Sequence, residues 1–132
     1  MKEEGKIRSF TNLNAWKEGH KLILEIYRLT PNFPKEELFG LTSQIRRCSV
    51  SITSNIAEGF GRHYYSEKIR FYSFSKGSII ELQNQLLIAK DVGFIEKNNF
   101  ILLADQSITV HKMLNKLISK TKEINNNLNS KF

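Results

Sequence analysis

Residues 41–59, LTSQIRRCSVSITSNIAEG, constrain the fold more than any other stretch of this chain. Leu41, Ile45, Cys48, Ile52 and Ile56 recur at three-and-four spacing, the apolar stripe of one long helix. The other positions carry Ser, Thr, Asn, Arg and Glu, where an ordinary surface helix would carry Lys and Glu. Gln44, Arg47, Ser51, Asn55 and Glu58 keep the same spacing and form a polar seam beside the stripe. Ser78, Glu81 and Gln85 offer a matching row further along. Buried charge needs partners, so Arg47 is expected to pair with Glu81 or Glu58 and set the register of the two helices. The seam is read as structural, because buried polar groups normally satisfy one another. A ligand-binding seam is the alternative.

The rest of the chain gives three more helical segments and no alternating strand. Residues 1–10 read as a flexible basic arm. Helix one is expected over about residues 12–29, with Leu13, Trp16, His20, Ile23 and Tyr27 on its inner face and Asn12 or Asn14 as cap. Pro31 and Pro34 end it. Pro34-Lys35-Glu36-Glu37 resembles a helix first turn that Gly40 interrupts. Helix two runs over about residues 42–58 and stops at Gly59-Phe60-Gly61. Helix three runs from a Ser66 cap to about residue 92 and stops at Gly93. Gly77 lies in its middle, at a cost of about 1 kcal/mol relative to alanine unless close packing offsets it. Helix four spans about residues 97–124, with Phe100, Leu103, Val110, Leu114, Leu117 and Ile118 inward. Residues 125–132 read as a frayed Asn-rich tail. Short links between long helices make antiparallel neighbours. The expected fold is all-α, an antiparallel up-down-up-down four-helix bundle over residues 11–124.

These helices carry more apolar surface than one bundle can bury. Leu22, Ile23, Leu24, Ile26, Tyr27 and Leu29 spread over roughly 220° of helix one at about 100° per residue. Facing a core takes little more than about 100°. Ile69, Phe71, Tyr72 and Phe74 repeat the excess on helix three, and residues 100–104 on helix four. Large apolar patches in water mark partner surfaces, so a homo-oligomer is expected.

No arrangement of residues points to catalysis, a cofactor or a metal. His20, His63 and His111 have no second histidine, cysteine or paired carboxylate at ligand spacing. His20 is expected to be packed in the core, the other two exposed. Cys48, the single cysteine, reads as a small core residue, and one cysteine forms no intramolecular disulfide, which fits a reducing cytoplasm. Gly59-Phe60-Gly61-Arg62 follows a helix and lacks a third glycine, so it is no dinucleotide loop. No run of about 18 apolar residues is present, so no membrane span is expected.

Charge gives the one positive functional signal. The 132 residues hold 20 Lys and Arg against 13 Asp and Glu, a net charge of +7. Arg62, Lys68 and Arg70 gather with His63, Tyr64 and Tyr65 between helices two and three, and cations among aromatics can hold phosphates and stack on bases. Lys112, Lys116 and Lys120 form a ridge on helix four. Either cluster is also compatible with a plain solvated face. Repeated around a ring of subunits, each would sum into a polyanion site with steep salt dependence.

The chain resembles the 23S ribosomal RNA intervening-sequence protein family, also called the four-helix-bundle protein family. The resemblance rests on Phe10-Thr11-Asn12-Leu13 with Trp16, Tyr27, Phe33-Pro34, residues 40–47, residues 51–59, Gly77-Ser78, Glu81-Leu82 and Gln85-Leu86. It covers about residues 9–120. Cys48 stands where the family usually has alanine, and Ile52-Thr53 replaces a family proline. The resemblance implies a left-handed four-helix bundle, a homopentamer and no enzymatic activity. Relatives lie in insertions within bacterial rRNA genes, and a similar bundle works with RNA and a reverse transcriptase in diversity-generating retroelements. The expected function is therefore binding of structured RNA through Arg62, Lys68, Arg70, Lys112, Lys116 and Lys120. The alternative is a scaffold that docks a partner protein without nucleic acid.

Overall fold

The computed structural model describes residues 5–129. Four helices make up the body: α1 (Asn14–Leu29), α2 (Leu41–Phe60), α3 (Tyr65–Asp91) and α4 (Lys97–Asn129). Among the described residues there is no strand. Each helix runs antiparallel to the next. Ser75 Oγ donates to the Ile52 carbonyl at 2.7 Å while Ser78 meets Ser51, so α3 descends as α2 climbs. Gln83 reaches Ser107 and Lys90 lies over Phe100, which reverses α4 on α3. Gly19 faces Thr53 and Val110, while Thr30 meets Arg46, which places α1 against both α2 and α4. The chain therefore closes an up-down-up-down bundle. Its core includes Leu22, Ile26, Ile45, Ile52, Ile56, Ile79, Leu82, Leu86, Leu103, Val110 and Leu114.

The expected stripe of α2 is the buried one at Ile45, Cys48, Ile52 and Ile56, and α4 turns Leu103, Val110, Leu114 and Ile118 inward. Helix one differs. Its buried face is Ala15, Gly19, Leu22, Ile23, Ile26 and Leu29. His20, expected in the core, is exposed and stacks on Trp16 at 4.8 Å, and Tyr27 is 45% exposed. The cause is size. Ala15 and Gly19 let α1 approach its neighbours, and a Cβ on Gly19 would already stand 3.0 Å from Thr53 Cγ2. The small side of the helix turns inward and the bulky aromatic side stays at the rim.

Helix ends are set by backbone geometry more than by capping side chains. Leu13 and Tyr64, not Asn12 or Ser66, hold the cap positions of α1 and α3, without a side-chain hydrogen bond. Glu37, in a single 3-10 turn (Lys35–Glu37), accepts the Leu41 N–H at 3.0 Å and so closes the start of α2. At the end of α3, Gly93 adopts φ +85°. Its N–H donates to the Lys90 carbonyl, and the Phe94 N–H to that of Ala89, a paired closure that calls for a left-handed residue. The expected frayed tail is corrected in part: residues 125–129 continue α4, and residues 130–132 lie outside the described residues. Once a helix is nucleated each added residue gains a hydrogen bond, and no proline or glycine interrupts this stretch. Of the expected arm, residues 1–4 lie outside the described residues. Phe10 begins a 3-10 turn and packs edge-on against Trp16 at 5.6 Å.

Two glycines give opposite predictions. A Cβ on Gly59 would meet Tyr72 Cε1 at 2.8 Å and Phe71 Cβ at 3.0 Å. Gly59→Ala is expected to cost about 1–3 kcal/mol through overpacking. Gly77 is exposed, with nothing within 4 Å of an added Cβ, so no packing offsets its helix cost. Gly77→Ala is expected to stabilise the fold by about 1 kcal/mol. Urea unfolding of both variants checks the pair.

Candidate nucleic-acid interface

The polar seam lies between α2 and α3, and its centre is largely satisfied within the chain, with Gln85 Oε1 left buried and unpartnered. Ser51 Oγ and Ser78 Oγ share a hydrogen bond of 2.7 Å, and Asn55 Nδ2 donates to the Ser51 carbonyl at 2.9 Å. Cys48 Sγ donates to the Ser78 carbonyl at 3.0 Å, and Gln85 Nε2 to Glu81 Oε1 at 3.3 Å. The expected Arg47 pairing is corrected. Glu58 pairs with Arg62 at 3.2 Å, and Gln44, Arg47 and Glu81 sit exposed at the rim. Arg47 and Glu58 lie on the outer edge of the α2 seam, where a charge keeps its water. Eleven residues apart on one helix, at about 1.5 Å per residue, the two also stand too far apart to pair.

Cys48 is set for packing rather than reaction. Burial first, then the nearby Glu81 carboxylate, pushes its thiol from 9.0 up to about 12. Burial alone pushes the Tyr72 phenol up to about 12. A thiol reacts as its thiolate, so Cys48 is protonated throughout the physiological range. Both groups hold their protons more tightly in the folded state. The associated stability is fully present below the ordinary thiol value of 9.0 and is lost as pH rises toward 12. Two results are expected: a thiol-selective disulfide reagent at pH 8 modifies Cys48 only after denaturation, and the unfolding midpoint falls as pH passes from 9 to 11. Equal labelling rates for native and unfolded chain would contradict this.

The two basic clusters differ sharply. Between α2 and α3, Arg62 pairs with Glu58 and lies 4.4 Å over the Phe71 ring. Lys68 donates to the Phe60 carbonyl, an end carbonyl of α2, and lies over the Phe60 ring. Arg70 lies 5.5 Å over Phe74. Lys68 and Arg70 are two positions apart on one helix, so they point to different sides. The structure therefore does not bring the three cations into one cradle, and two of them have partners within the chain. The Glu58–Arg62 pair at i,i+4 spacing was open to sequence reading, but the Phe60 carbonyl and the ring faces leave no trace in charge spacing.

The α4 ridge is different. Lys112, Lys116 and Lys120 are all exposed, and among the described residues none has an ion pair or hydrogen bond. At 1.5 Å per residue the row is about 12 Å long. Lys116 and Lys120 also border a groove of about 260 Å³ whose other wall is Leu13, Asn14 and Ala15. Lysines on flexible stems with solvated heads suit backbone phosphates, which need point charges more than fixed geometry.

Among the described residues no three His, Cys, Asp or Glu side chains gather as metal ligands, and no helix is long and apolar enough to cross a membrane. His63 is exposed and rests edge-on against Tyr64. His111 is half-buried, and its Nε2 lacks a partner.

Architecture and surface together define an antiparallel four-helix bundle with free cations along one helix. Residues 11–116 match the family model described as 23S rRNA-intervening sequence protein, and the chain belongs to that family. Among solved structures it is similar to a protein of unknown function from the S23 ribosomal protein family of Bacteroides thetaiotaomicron VPI-5482. The identity is 19%, the TM-score 0.74, and the match covers 80% of this chain and 95% of that one. That likeness carries the fold. No curated protein matches.

Proposed function

We propose that this chain is a non-enzymatic, self-associating bundle that binds structured RNA through phosphate contacts. The observation that carries the reading is the unpaired row Lys112, Lys116 and Lys120 on a chain of net charge +7. Arg70, exposed and without a carboxylate partner among the described residues, is a further contact. Arg62 and Lys68 join only by giving up Glu58 and the Phe60 carbonyl. The family description refers to an intervening sequence of 23S rRNA, which puts its members in an rRNA setting without naming what they bind. Self-association, as a homopentamer or another closed ring, would repeat the row around the assembly. A cytoplasmic setting follows from the same reading.

Four phosphate contacts give a slope of log affinity against log salt near −3.6, so affinity for a structured rRNA fragment should fall about 100-fold between 50 and 200 mM salt. Reversing Lys112, Lys116 and Lys120 to Glu should abolish retention. Affinity that does not change with salt would exclude the reading.

A second reading, a scaffold docking a partner protein, is favoured by exposed Phe74, Ile88 and Val92 on α3. Under it the same charge reversal leaves partner capture intact.

A further inference from the structure

We infer that copies of this chain join head to tail, with Phe39 of one copy filling the apolar groove between α3 and α4 of the next. The inference rests on the self-association proposed above and names its contact. Phe39 is 94% exposed, more than any other large apolar side chain described. It does not sit on a loose loop. The Leu38 N–H donates to the Lys35 carbonyl, the Gly40 N–H to the Glu37 carbonyl, and the Leu41 N–H to Glu37 Oε2. A ring held in water on a braced turn loses little conformational freedom on docking, the property of an interface anchor.

The groove offers the complementary shape. It measures about 290 Å³ and is lined by Gln83, Leu86, Leu87, Phe100, Ala104, Ser107 and Ile108. An apolar cavity of about 150 Å³ already takes up benzene, so a phenyl ring fits. Gln83 Nε2 donates to Ser107 Oγ at 3.1 Å, and the half-buried Gln83 must keep its Oε1 toward water at the groove's open side when the ring docks. Ile80 and Ile101 stand exposed on the same two helices.

Area and charge set what else the contact must include. One phenylalanine buries at most about 250 Å², whereas a stable interface needs about 800 Å² on each partner. Leu38 beside the knob and the isoleucines beside the groove are the apolar surface available for the remainder. Glu36, exposed next to the knob, has no partner among the described residues. Lys90, whose Nζ lies 4.8 Å over the Phe100 ring and pairs with the exposed Asp91 at 3.6 Å, puts a shared cation at the groove's end. Knob and groove occupy different surfaces of the molecule, so the contact is heterologous and builds a ring or an open chain.

Size-exclusion chromatography with multi-angle light scattering of the full chain tests this with Phe39→Ser, which lacks the knob, and Ile108→Glu, which blocks the groove. Leu87→Glu is a second groove variant, and circular dichroism confirms that each folds. The wild type is expected to assemble, and each variant alone to run at 15.3 kDa. A knob variant mixed with a groove variant keeps one intact contact and should give a capped dimer at twice 15.3 kDa. Variants that keep the wild-type assembly would overturn the inference and leave self-association standing. Monomeric variants that form no dimer when mixed would also overturn it. A monomeric wild type would remove both.

Discussion

The structure depends on the close approach of α2 and α3. Gly59 has no side chain where the Tyr72 ring passes, and so Tyr72 is buried at 2% exposure. Ser75 lies within reach of the Ile52 carbonyl, and Ser51 within reach of Ser78. Apolar contact alone would leave the pair free to slide, because one branched aliphatic packs much like another. Directional hydrogen bonds between fixed positions select one register. That register places Cys48 under the Ser78 carbonyl. Through the short link to α3 it also sets where α4 must return.

Much of the fold was legible in the sequence, for reasons that can be assigned residue by residue. The α2 stripe and the α4 inner face read correctly because large aliphatics at helical spacing have only one way to be buried. The stop at Gly93 read correctly because the closure there demands positive φ. The α1 face did not read correctly. Trp16, His20 and Tyr27 outweigh Ala15 and Gly19 in any count of apolar bulk, yet the bundle uses the absence of bulk as its contact. Helix approach is a property of two partners, and one helix's pattern does not contain it.

The candidate site was legible only in part. Lysine spacing on α4 translates directly into a ridge, because exposed residues on a helix follow helical geometry alone. At the corner after α2, spacing suggested a cluster that the structure divides between an ion pair, a carbonyl and ring faces. The expected charge pair in the seam failed for a related reason. Glu58 stands eleven residues from Arg47 on the same helix, beyond reach, while Arg47 and Glu81 have water available at the rim and gain little from a buried pairing. Ser51, Asn55 and Ser78, which have weaker solvation to lose, take the half-buried places instead.

Assembly and charge are linked in this account. One copy presents three lysines in a row, a weak polyanion site, while several copies on one frame act through effective concentration. The most direct test is the affinity of Phe39→Ser for structured RNA at physiological salt, since that variant keeps every cation. Its binding should be weaker than that of the wild type by about 100-fold or more. Equal affinity would contradict it, because the lysines would then act without the ring.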